Sequence, residues 1–372
     1  MLIKELQVIN FRNLKYMKAA FDTGIHVIHG GNAQGKTNLL EAIHLLVTGR
    51  SFRTTMDREM VPWARENYEA TLIRAQVEKG GFEERFLLSF NSSEKHVYVN
   101  GNPIPRLGDL LGRINAVLFT PSDLQLVRGA PGLRRRFLDI ELSQINRSYL
   151  HHLQRYDLAL RQRNALLKQH QRRPSLGDEL VAWDEQLSIH GGVMIATRSE
   201  MIEHLSNIAS GMYGEIATGT EKLTLQFKPN PSRASGTAEE VTAQLQAALA
   251  AAHADDIRRG ATGIGPHRDD FDFLIDGRAA RDYGSQGQQR SCVLALKMAE
   301  LTLMESSTGE PPLLLLDDLM SELDESRKRA FLQSLDSRIQ TFITATEPDL
   351  VTSLVSPRSV WQMEDGHLTQ DR

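Results

Sequence analysis

The chain has 372 residues, of which 41% are hydrophobic and 24% charged, and its formal net charge is −4. This length can bury a large core and can hold two or more domains, and the composition is that of an ordinary globular protein. No run of 18 or more apolar residues occurs, so we predict no membrane span. The single cysteine, Cys292, excludes an internal disulfide, and the N-terminus has no signal-peptide pattern. We therefore expect a cytoplasmic protein.

The charge is unevenly distributed along the chain. Between Arg128 and Arg173, eleven basic residues stand against three acidic ones, so this segment carries +8 and the remainder −12. A positive segment on an acidic body can be an electrostatic footprint for a phosphate backbone. A helical arm that uses its charge only to stay hydrated explains the pattern equally well.

The first strong motif is GGNAQGKT, which fits the P-loop pattern G-x-x-x-x-G-K-[ST]. A β-branched run at 25–28 predicts a strand before it, and apolar residues at helical spacing over 38–47 predict a helix after it. Such a turn cradles phosphate with backbone N–H groups, while Lys36 can bridge the terminal phosphates and Thr37 can hold Mg²⁺. The predicted nucleotide-binding residues are Gly30, Gly31, Asn32, Ala33, Gln34, Gly35, Lys36 and Thr37.

Further strands are predicted around the P-loop unit, at 2–9, 16–21, 68–77, 84–90, 96–99 and 116–119. The pair Asn100-Gly101 predicts a tight turn, and Gly49 is placed to end the P-loop helix. From Pro131 to Ala217 the strand signals vanish, and leucines recur at helical intervals among Arg, Gln and His. We interpret this tract as a short helical arm or lobe inserted into an α/β body. An alanine-rich helix over 238–252 and a strand over 271–275 follow.

Two motifs near the C-terminus predict the rest of a nucleotide site. Ser285-Gln286-Gly287-Gln288 precedes an amphipathic helix, where Ser285 can act as cap and Gly287 allows close backbone approach. Four leucines at 313–316 then run into two aspartates, as in a buried parallel strand whose C-terminal end meets a ligand. Asp317 is placed to hold hydrated Mg²⁺, and Asp318 is placed to orient or deprotonate the attacking water.

The order of these motifs, completed by S-E-L-D at 321–324, is the order found in ABC-type ATPases. Within them the chain resembles the SMC-like heads, and among those the RecF family of bacterial recombination mediators. The resemblance rests on four stretches and covers the whole chain: N-F-R-N at 10–13, P-S-D-L to R-R-R-F-L-D at 121–139, G-P-H-R-D-D at 265–270 and G-S-Q-G-Q-Q-R at 284–290.

The resemblance implies a fold, cofactors and site residues. The fold is an α/β ABC-type (SMC-like) ATPase head with a mixed β-sheet and a short inserted α-helical arm. The implied segments are 1–120 for the N-terminal part of the head, 121–235 for the arm with a DNA-binding or dimer surface, and 236–372 for the C-terminal part. ATP and Mg²⁺ would be bound by the P-loop, with Thr37 and Asp317 on the metal and Asp318 in the catalytic position. The signature Ser285, Gln286, Gly287 and Gln288 would act in trans, across an ATP-dependent homodimer, and Asp324 would belong to the D-loop.

The resemblance also implies a biological role and partners. RecF-like proteins bind DNA at gaps and junctions, act with RecO and RecR to load the recombinase RecA, and take part in replication restart and the SOS response. Candidate DNA contacts here are Arg134, Arg135, Arg136, Arg161, Arg163 and Lys168. The triplet 134–136 either touches phosphate or holds the base of the arm by salt bridges. No chemical role is assigned to 265–270.

Some positions depart from the ABC pattern. Asp318 stands where many ABC ATPases have Glu, so we expect slow, DNA-stimulated hydrolysis that serves as a switch. The usual switch histidine is missing, and either Thr346 or Glu347 is the candidate replacement. Gln125 is the candidate Q-loop residue.

Two other classes of protein share a P-loop. A small-molecule kinase would need neither the S-x-G-Q helix nor a basic arm. A transporter ATPase would need surfaces for membrane partners and normally carries the switch histidine. An ATP-dependent change in oligomer size separates the leading interpretation from the first class, and DNA stimulation of hydrolysis separates it from the second.

Overall fold

The computed structural model describes residues 1–62, 70–91, 93–170, 177–217, 220–232, 234–318 and 324–371. These residues form two compact units. The first contains Met1–Asp123 together with the chain from Glu300 onward, and the second contains Leu124–Ala299. The predicted α/β class is confirmed. The predicted division at 120 and 235 remains a prediction.

An antiparallel sheet forms one layer of the first unit, with strand order β2-β1-β4-β5-β6-β7. Its strands are β1 (Leu2–Phe11), β2 (Leu14–Ala20), β4 (Thr71–Lys79), β5 (Phe82–Phe90), β6 (Lys95–Val99) and β7 (Asn102–Pro103). Buried residues alternate with more exposed ones, as with Ile73, Ala75 and Val77 in β4. Because successive side chains of a strand point to opposite faces, one face of this sheet lies in the core and the other faces water.

The second sheet of this unit has the order β15-β14-β3-β13-β12-β8 and is parallel except for its terminal hairpin. Its strands are β3 (Ile25–His29), β8 (Ala116–Phe119), β12 (Leu313–Leu316), β13 (Thr341–Ala345), β14 (Ser359–Glu364) and β15 (His367–Gln370). Every residue of β12 and β13 is buried, which explains their lack of alternation in the sequence. The parallel pairing brings the C-terminal ends of β3, β13 and β12 to one edge.

Helix α1 (Lys36–Thr48) follows β3 and is buried along most of its length. It ends at Gly49, whose φ of +69° is left-handed, as the sequence predicted for a helix stop. The hydrophobic core of the unit joins α1 to both sheets through buried residues such as Leu40, Leu88 and Phe342. Among the described residues, the other α-helices of the first unit are α10 (Glu325–Gln333) and α11 (Asp349–Thr352), together with the last part of the helix at Gln286–Thr308.

The second unit is mainly helical, with a three-stranded antiparallel sheet. Its helices are α2 (Gln125–Arg128), α3 (Pro131–Ile145), α4 (Arg147–His170), α5 (Gly177–Ile216), α6 (Ala238–Ala251), α7 (His253–Arg259) and α8 (Ala280–Tyr283), with the first part of α9 (Gln286–Thr308). Its strands are β9 (Leu223–Lys228), β10 (Asp270–Ile275) and β11 (Arg278–Ala279). The helical arm is therefore confirmed, whereas β9 had no predicted counterpart.

Buried ion pairs hold the long helices of this unit together. The Arg163 side chain is fully buried and donates to Asp184 at 2.6 Å and to Asp256 at 2.7 Å. Arg198 donates to Asp269 at 2.8 Å and to Asp139 at 2.7 Å. Breaking a buried pair by removing one partner costs about 3–5 kcal/mol, because the other charge is left uncompensated.

The stretch 265–270, to which no role was assigned from sequence, joins these networks. Gly265 has a φ of +132°, and a Cβ there would lie 2.2 Å from the Tyr156 hydroxyl, so only glycine fits. Asp269 accepts from Arg198, and Asp270 accepts from Arg134 at 2.6 Å. The stretch is therefore a structural joint between α3, α4, α5 and β10.

Most predicted elements are confirmed, including the tight turn at Asn100-Gly101, where both residues have positive φ. The first residues of the strand predicted at 68–77 and most of the S-E-L-D motif lie outside the described residues.

His267 in this joint generates a pH prediction. Its Nε2–H donates to the Thr262 carbonyl at 3.0 Å, and its Nδ1 accepts from the Tyr156 hydroxyl at 2.7 Å. Burial lowers its pKa to about 4. The unfolded chain, with the ordinary value of about 6.5, binds the proton first, so stability is full above pH 6.5 and falls toward pH 4. Between pH 7.5 and 5 we expect His267 alone to cost ~2 kcal/mol of unfolding free energy.

Urea denaturation of His267→Gln at the two pH values checks this. The variant is expected to lose that share of the pH dependence. His96→Gln, which removes an exposed histidine, is the matched control and should behave like the original chain. Equal pH dependence in all three proteins contradicts the assignment.

Candidate nucleotide site

The P-loop connects β3 to α1 and needs unusual backbone angles. Gly30, Ala33 and Gly35 have φ values of +143°, +64° and +119°. A Cβ on Gly30 would lie 2.3 Å from the Met363 carbonyl oxygen, so a glycine is required there. The loop therefore turns its backbone tightly before the N-terminus of α1, which is the geometry that receives anions.

The Lys36 side chain is hydrogen-bonded to the backbone of this loop. Its Nζ donates to the carbonyl oxygens of Gly30 at 2.6 Å and Gly31 at 2.8 Å. Burial lowers the pKa of Lys36, while the carboxylates of Asp318 and Asp317 oppose that shift. The Lys36 ammonium is thus held at the loop by two neutral carbonyl oxygens. Negatively charged phosphate oxygens are stronger acceptors and can take their place.

Thr37 connects the P-loop to the two aspartates. Its hydroxyl donates to Asp317 Oδ1 at 2.8 Å, and the Thr344 hydroxyl lies 3.0 Å from the same oxygen. Burial raises the pKa of Asp317, and the hydrogen bonds from Thr37 and Thr344 act against that rise. The predicted pair Thr37 and Asp317 is therefore in direct contact, although the two residues come from different strand–turn units.

Asp318 sits in a strained backbone position beside this pair. Its φ is +48°, in the left-handed region, and its backbone N–H donates to Thr344 Oγ1 at 2.9 Å. Thr344 also lies at the end of β13, between the P-loop strand and the strand that carries the aspartates. Thr344 is fully buried and fixes both Asp317 and Asp318, a role that was missed in the sequence because it is not part of any motif.

These groups fit a hard divalent cation bound together with phosphate. A threonine hydroxyl and a carboxylate in contact are oxygen ligands of the kind that Mg²⁺ takes, usually along with substrate oxygens and water. The buried Asp317, whose ionised form is disfavoured by burial, would gain a compensating charge there. When bound, the cation would neutralise charge on the transferred phosphoryl group.

A second layer of contacts braces the loop. The Asn13 side chain donates to the carbonyls of Ala33 and Gln34 at 3.2 and 3.0 Å. The turn between β14 and β15 donates to Gln34, from the Asp365 N–H to its side-chain oxygen at 2.6 Å and from Gly366 to its backbone oxygen at 3.0 Å. The N-F-R-N stretch pointed to Asn13, but nothing in the sequence pointed to the C-terminal turn.

Arg12 of the same stretch anchors α1. Its guanidinium donates to both carboxylate oxygens of Glu41, at 2.5 and 2.7 Å, and Glu41 is fully buried. Arg53 reaches Asn38 at 2.7 Å and Glu41 at 3.4 Å. The helix whose N-terminus meets the P-loop is therefore pinned from two sides by charge-assisted hydrogen bonds.

The signature stretch belongs to the second unit and begins α9. The Ser285 hydroxyl accepts from the Gln288 N–H at 3.2 Å, and the Gln288 side chain accepts from the Ser285 N–H at 2.7 Å. This reciprocal pair is a capping box, so the predicted capping role of Ser285 is confirmed. Ser285 and Gln286 are exposed at the helix N-terminus, and Gly287 is partly exposed.

Gln289, just after the motif, holds this loop rigid. Its side-chain N–H group donates to the carbonyls of Ala280 at 2.9 Å and Gly284 at 3.0 Å. Its side-chain oxygen accepts from the Arg128 guanidinium. Gln289 is buried, and its fixed position presents Ser285 outward.

Other predicted site residues occupy varied places. Asp324 caps α10 and accepts from the Arg327 N–H at 3.0 Å. A closer hydrogen bond from the Ser326 hydroxyl, together with the one from Arg327, lowers the pKa of Asp324 to about 2. Thr346 and Glu347 are exposed just after β13, and Gln125 is exposed at the start of α2.

The candidate DNA contacts divide into three groups by exposure. Arg134 is buried against Asp270 and Arg163 against Asp184 and Asp256, so the prediction that they touch DNA is wrong for both. Burial in ion pairs leaves no guanidinium for phosphate. Arg135 is half-buried and donates to the Asp269 carbonyl at 2.8 Å. Three of the candidates are exposed: Arg136, Arg161 and Lys168.

Comparisons with known proteins place this geometry in context. The family described as RecF/RecN/SMC N terminal domain matches residues 2–369. The DNA replication and repair protein RecF of Symbiobacterium thermophilum is 45% identical over 350 residues, covering 93% of this chain and 92% of that protein. The protein of the same name from Pediococcus pentosaceus is 37% identical over 376 residues, covering 100% of both chains.

Solved structures agree. The structure of the recombination mediator protein RecF-ATP in the RecFOR pathway is similar with a TM-score of 0.92 and 37% identity, covering 100% of this chain and 97% of that one. An Smc head bound to the C-winged helix domain of ScpA has a TM-score of 0.59 at 13% identity, covering 100% of this chain and 97% of that one, which shows a shared fold only.

Thr344 provides the test of the site geometry. Thr344→Val keeps the shape but removes the hydroxyl that fixes the Asp318 N–H and Asp317 Oδ1. A lost buried hydrogen bond of this kind costs about 1–3 kcal/mol, so we expect kcat for nucleotide hydrolysis to fall about 10–100-fold. Nucleotide affinity should change less than about threefold, since the P-loop contacts remain.

Two further variants complete this measurement. Thr344→Ser restores the hydroxyl and should recover most of kcat. Thr341→Val removes a buried hydroxyl from the same strand, one that among the described residues donates to the Ile339 carbonyl, and should leave kcat unchanged. An unaltered kcat in Thr344→Val removes Thr344 from the site.

Proposed function

This chain belongs to the RecF family within the RecF/RecN/SMC proteins, and we propose that it is an ATP-gated DNA-binding dimer of recombinational repair. The observation that carries the proposal is the 2.8 Å contact between Thr37 of the P-loop and Asp317 of the strand with two aspartates. In P-loop nucleoside triphosphatases, a P-loop Ser or Thr and a strand-end Asp hold Mg²⁺ together, so their side chains lie close to each other as they do here.

In the proposed site, the residues Gly30, Gly31, Asn32, Ala33, Gln34, Gly35, Lys36 and Thr37 hold ATP. Lys36 leaves its carbonyl partners for the terminal phosphates, and Thr37 with Asp317 holds Mg²⁺. Asp318 orients the attacking water and accepts its proton, with Thr344 holding the backbone N–H of Asp318. Hydrolysis is slow, because the short Asp318 side chain reaches less far than a glutamate, and it serves as a switch.

The proposed dimer completes each site in trans. Ser285, Gln286, Gly287 and Gln288 cap the ATP held by the partner, with the N-terminus of α9 aimed at the γ-phosphate. Exposure of Ser285 and its rigid support by Gln289 favour this role, because a donor held in advance loses little entropy on contact. Asp324 borders the same interface as part of the D-loop.

The proposed duplex surface lies on the arm. Arg136, Arg161 and Lys168 are exposed, and Arg128–Arg173 has an excess of positive charge. Arg135 adds to the positive potential of this surface, but its guanidinium donates to the backbone carbonyl of Asp269. We therefore propose that it contributes less to DNA affinity than the three exposed residues. Arg134 and Arg163 are not part of the proposed surface.

The proposed biological role follows the relatives. We infer action at gaps and junctions, help in loading a recombinase, and roles in replication restart and the SOS response, with RecR and RecO as partners. Among the described residues, no helix combines the length and apolarity that crossing a bilayer demands. A cytoplasmic location is part of the proposal.

The pairing step is tested with Ser285→Arg. A bulky cation at the helix N-terminus should block the trans contact, so light scattering with ATP should show monomers only. ATP affinity of the monomer should stay within about twofold, and the lost cap should cost about 1 kcal/mol of stability. Ser306→Arg, an exposed serine at the far end of the same helix, is the control and should pair normally. ATP-induced dimers of Ser285→Arg would contradict the trans site.

The duplex surface is tested by neutralising Arg136, Arg161 and Lys168 to glutamine. Each lost phosphate contact should reduce the slope of log affinity against log salt by about 0.9, so the triple variant should lose up to about 2.7. Neutralising Arg259, Arg278 and Arg329, three exposed residues outside 121–235, gives the same change in net charge and should leave the slope nearly unchanged. Equal slopes for both triple variants would contradict the proposal and would mean that the charges of the arm serve only its hydration.

A further inference from the structure

The water-facing side of the antiparallel sheet in the first unit carries a groove of about 500 Å³. Its walls include Arg74, Arg85 and Tyr98, together with the amides of Gln7 and Gln76. None of these residues belongs to the nucleotide site or to the helical arm. The groove therefore needs an explanation of its own.

Strand pairing places the two arginines close together. Arg74 on β4 is opposite Leu87 on β5, and Arg85 on β5 is opposite Gln76 on β4. The arginines are thus diagonal neighbours on one face, about 7–8 Å apart at their Cα atoms. Long guanidinium side chains at this spacing can contact neighbouring phosphates of one strand.

Neither guanidinium forms an ion pair within the described part of the chain. Arg74 donates to the neutral side chain of Gln7 at 3.1 Å, and the hydrogen bonds between Arg85 and Asn100 are made by the backbone of Arg85. Glu5, the acidic residue of the groove, is paired with Lys18 at 3.0 Å. The nearby Glu83 is paired with Lys4 at 2.8 Å. The field of Arg85 contributes, after Lys4, to lowering the pKa of Glu83, but both guanidinium groups keep hydrogen-bond donors for a ligand.

An aromatic ring lies beside these charges. Tyr98 on β6 is opposite Leu87, in the same cross-strand row as Arg74. It is half-buried, so its ring is held in place while remaining accessible from the groove. Tyr16, 53% exposed on β2, lies at the other end of the same sheet face. Aromatic rings on an open sheet stack with unpaired bases, which a duplex keeps inside its own stack.

We propose that this groove binds a single strand of DNA, with phosphates on Arg74 and Arg85 and a base against Tyr98. The inference rests on the proposed DNA-binding function and adds a single-strand site in the first unit. A protein acting at gaps meets both duplex and unpaired DNA, so separate surfaces for the two are chemically reasonable.

The test uses fluorescence anisotropy of a labelled oligothymidylate of roughly 16 nucleotides with the full-length protein and ATP. Arg74→Gln combined with Arg85→Gln should reduce the salt slope by about 1.4, at about 0.7 for each phosphate contact on single strands. Tyr98→Ser should weaken binding about tenfold with the slope unchanged, and Tyr98→Phe should bind normally, since stacking needs only the ring.

Controls separate the groove from charge in general. Lys222→Gln with Arg278→Gln makes the same change in net charge on exposed residues elsewhere and should leave the slope unchanged. Equal losses in this control, an unchanged slope in the groove variant, or full displacement of the oligonucleotide by polyglutamate would overturn the proposal. Duplex affinity should persist in the groove variants. If the original protein bound neither duplex nor single strand, the proposed function itself would fail, which is a different result from an unchanged groove variant.

Discussion

The hydrogen bond from Thr37 to Asp317 joins segments 280 residues apart in sequence, and the arrangement of the nucleotide site depends on it. It exists because β13 lies between β3 and β12, which brings the ends of three parallel strands to one edge. Thr344 ties the middle strand to both aspartates. A shift of β12 along β13 by one residue would separate the carboxylates from the P-loop.

Buried charge is used differently in the two units. In the first, Glu41 on α1 is fully buried and accepts hydrogen bonds from Arg12, Arg53 and Ser51. Because a buried carboxylate is costly without such donors, these contacts fix the position of α1. In the second, Arg163 and Arg198 link several helices to the loop at 265–270. Such networks add little net stability compared with well-packed apolar residues, but they penalise any alternative packing that would leave a charge unpaired.

Local patterns carried much of the prediction. The P-loop, the leucine strand with Asp317 and Asp318, and the Ser285 cap are contiguous in sequence, so their geometry follows from neighbouring residues. Thr344 and the turn after β14 contribute through contacts made only in the folded chain. Arg163 shows the limit most clearly: as a sequence letter it is a surface cation, and only its carboxylate partners on α5 and α7 show that it is buried.

The left-handed backbone of Asp318 limits which residues can replace this aspartate. Aspartate and asparagine tolerate a φ near +48° better than other residues with a Cβ, whereas glutamate lacks the short side chain that compensates locally. The choice of the shorter acid is then dictated by the main chain and not by the chemistry of water alone. Replacing this aspartate by the longer glutamate would therefore require the peptide to leave the left-handed region.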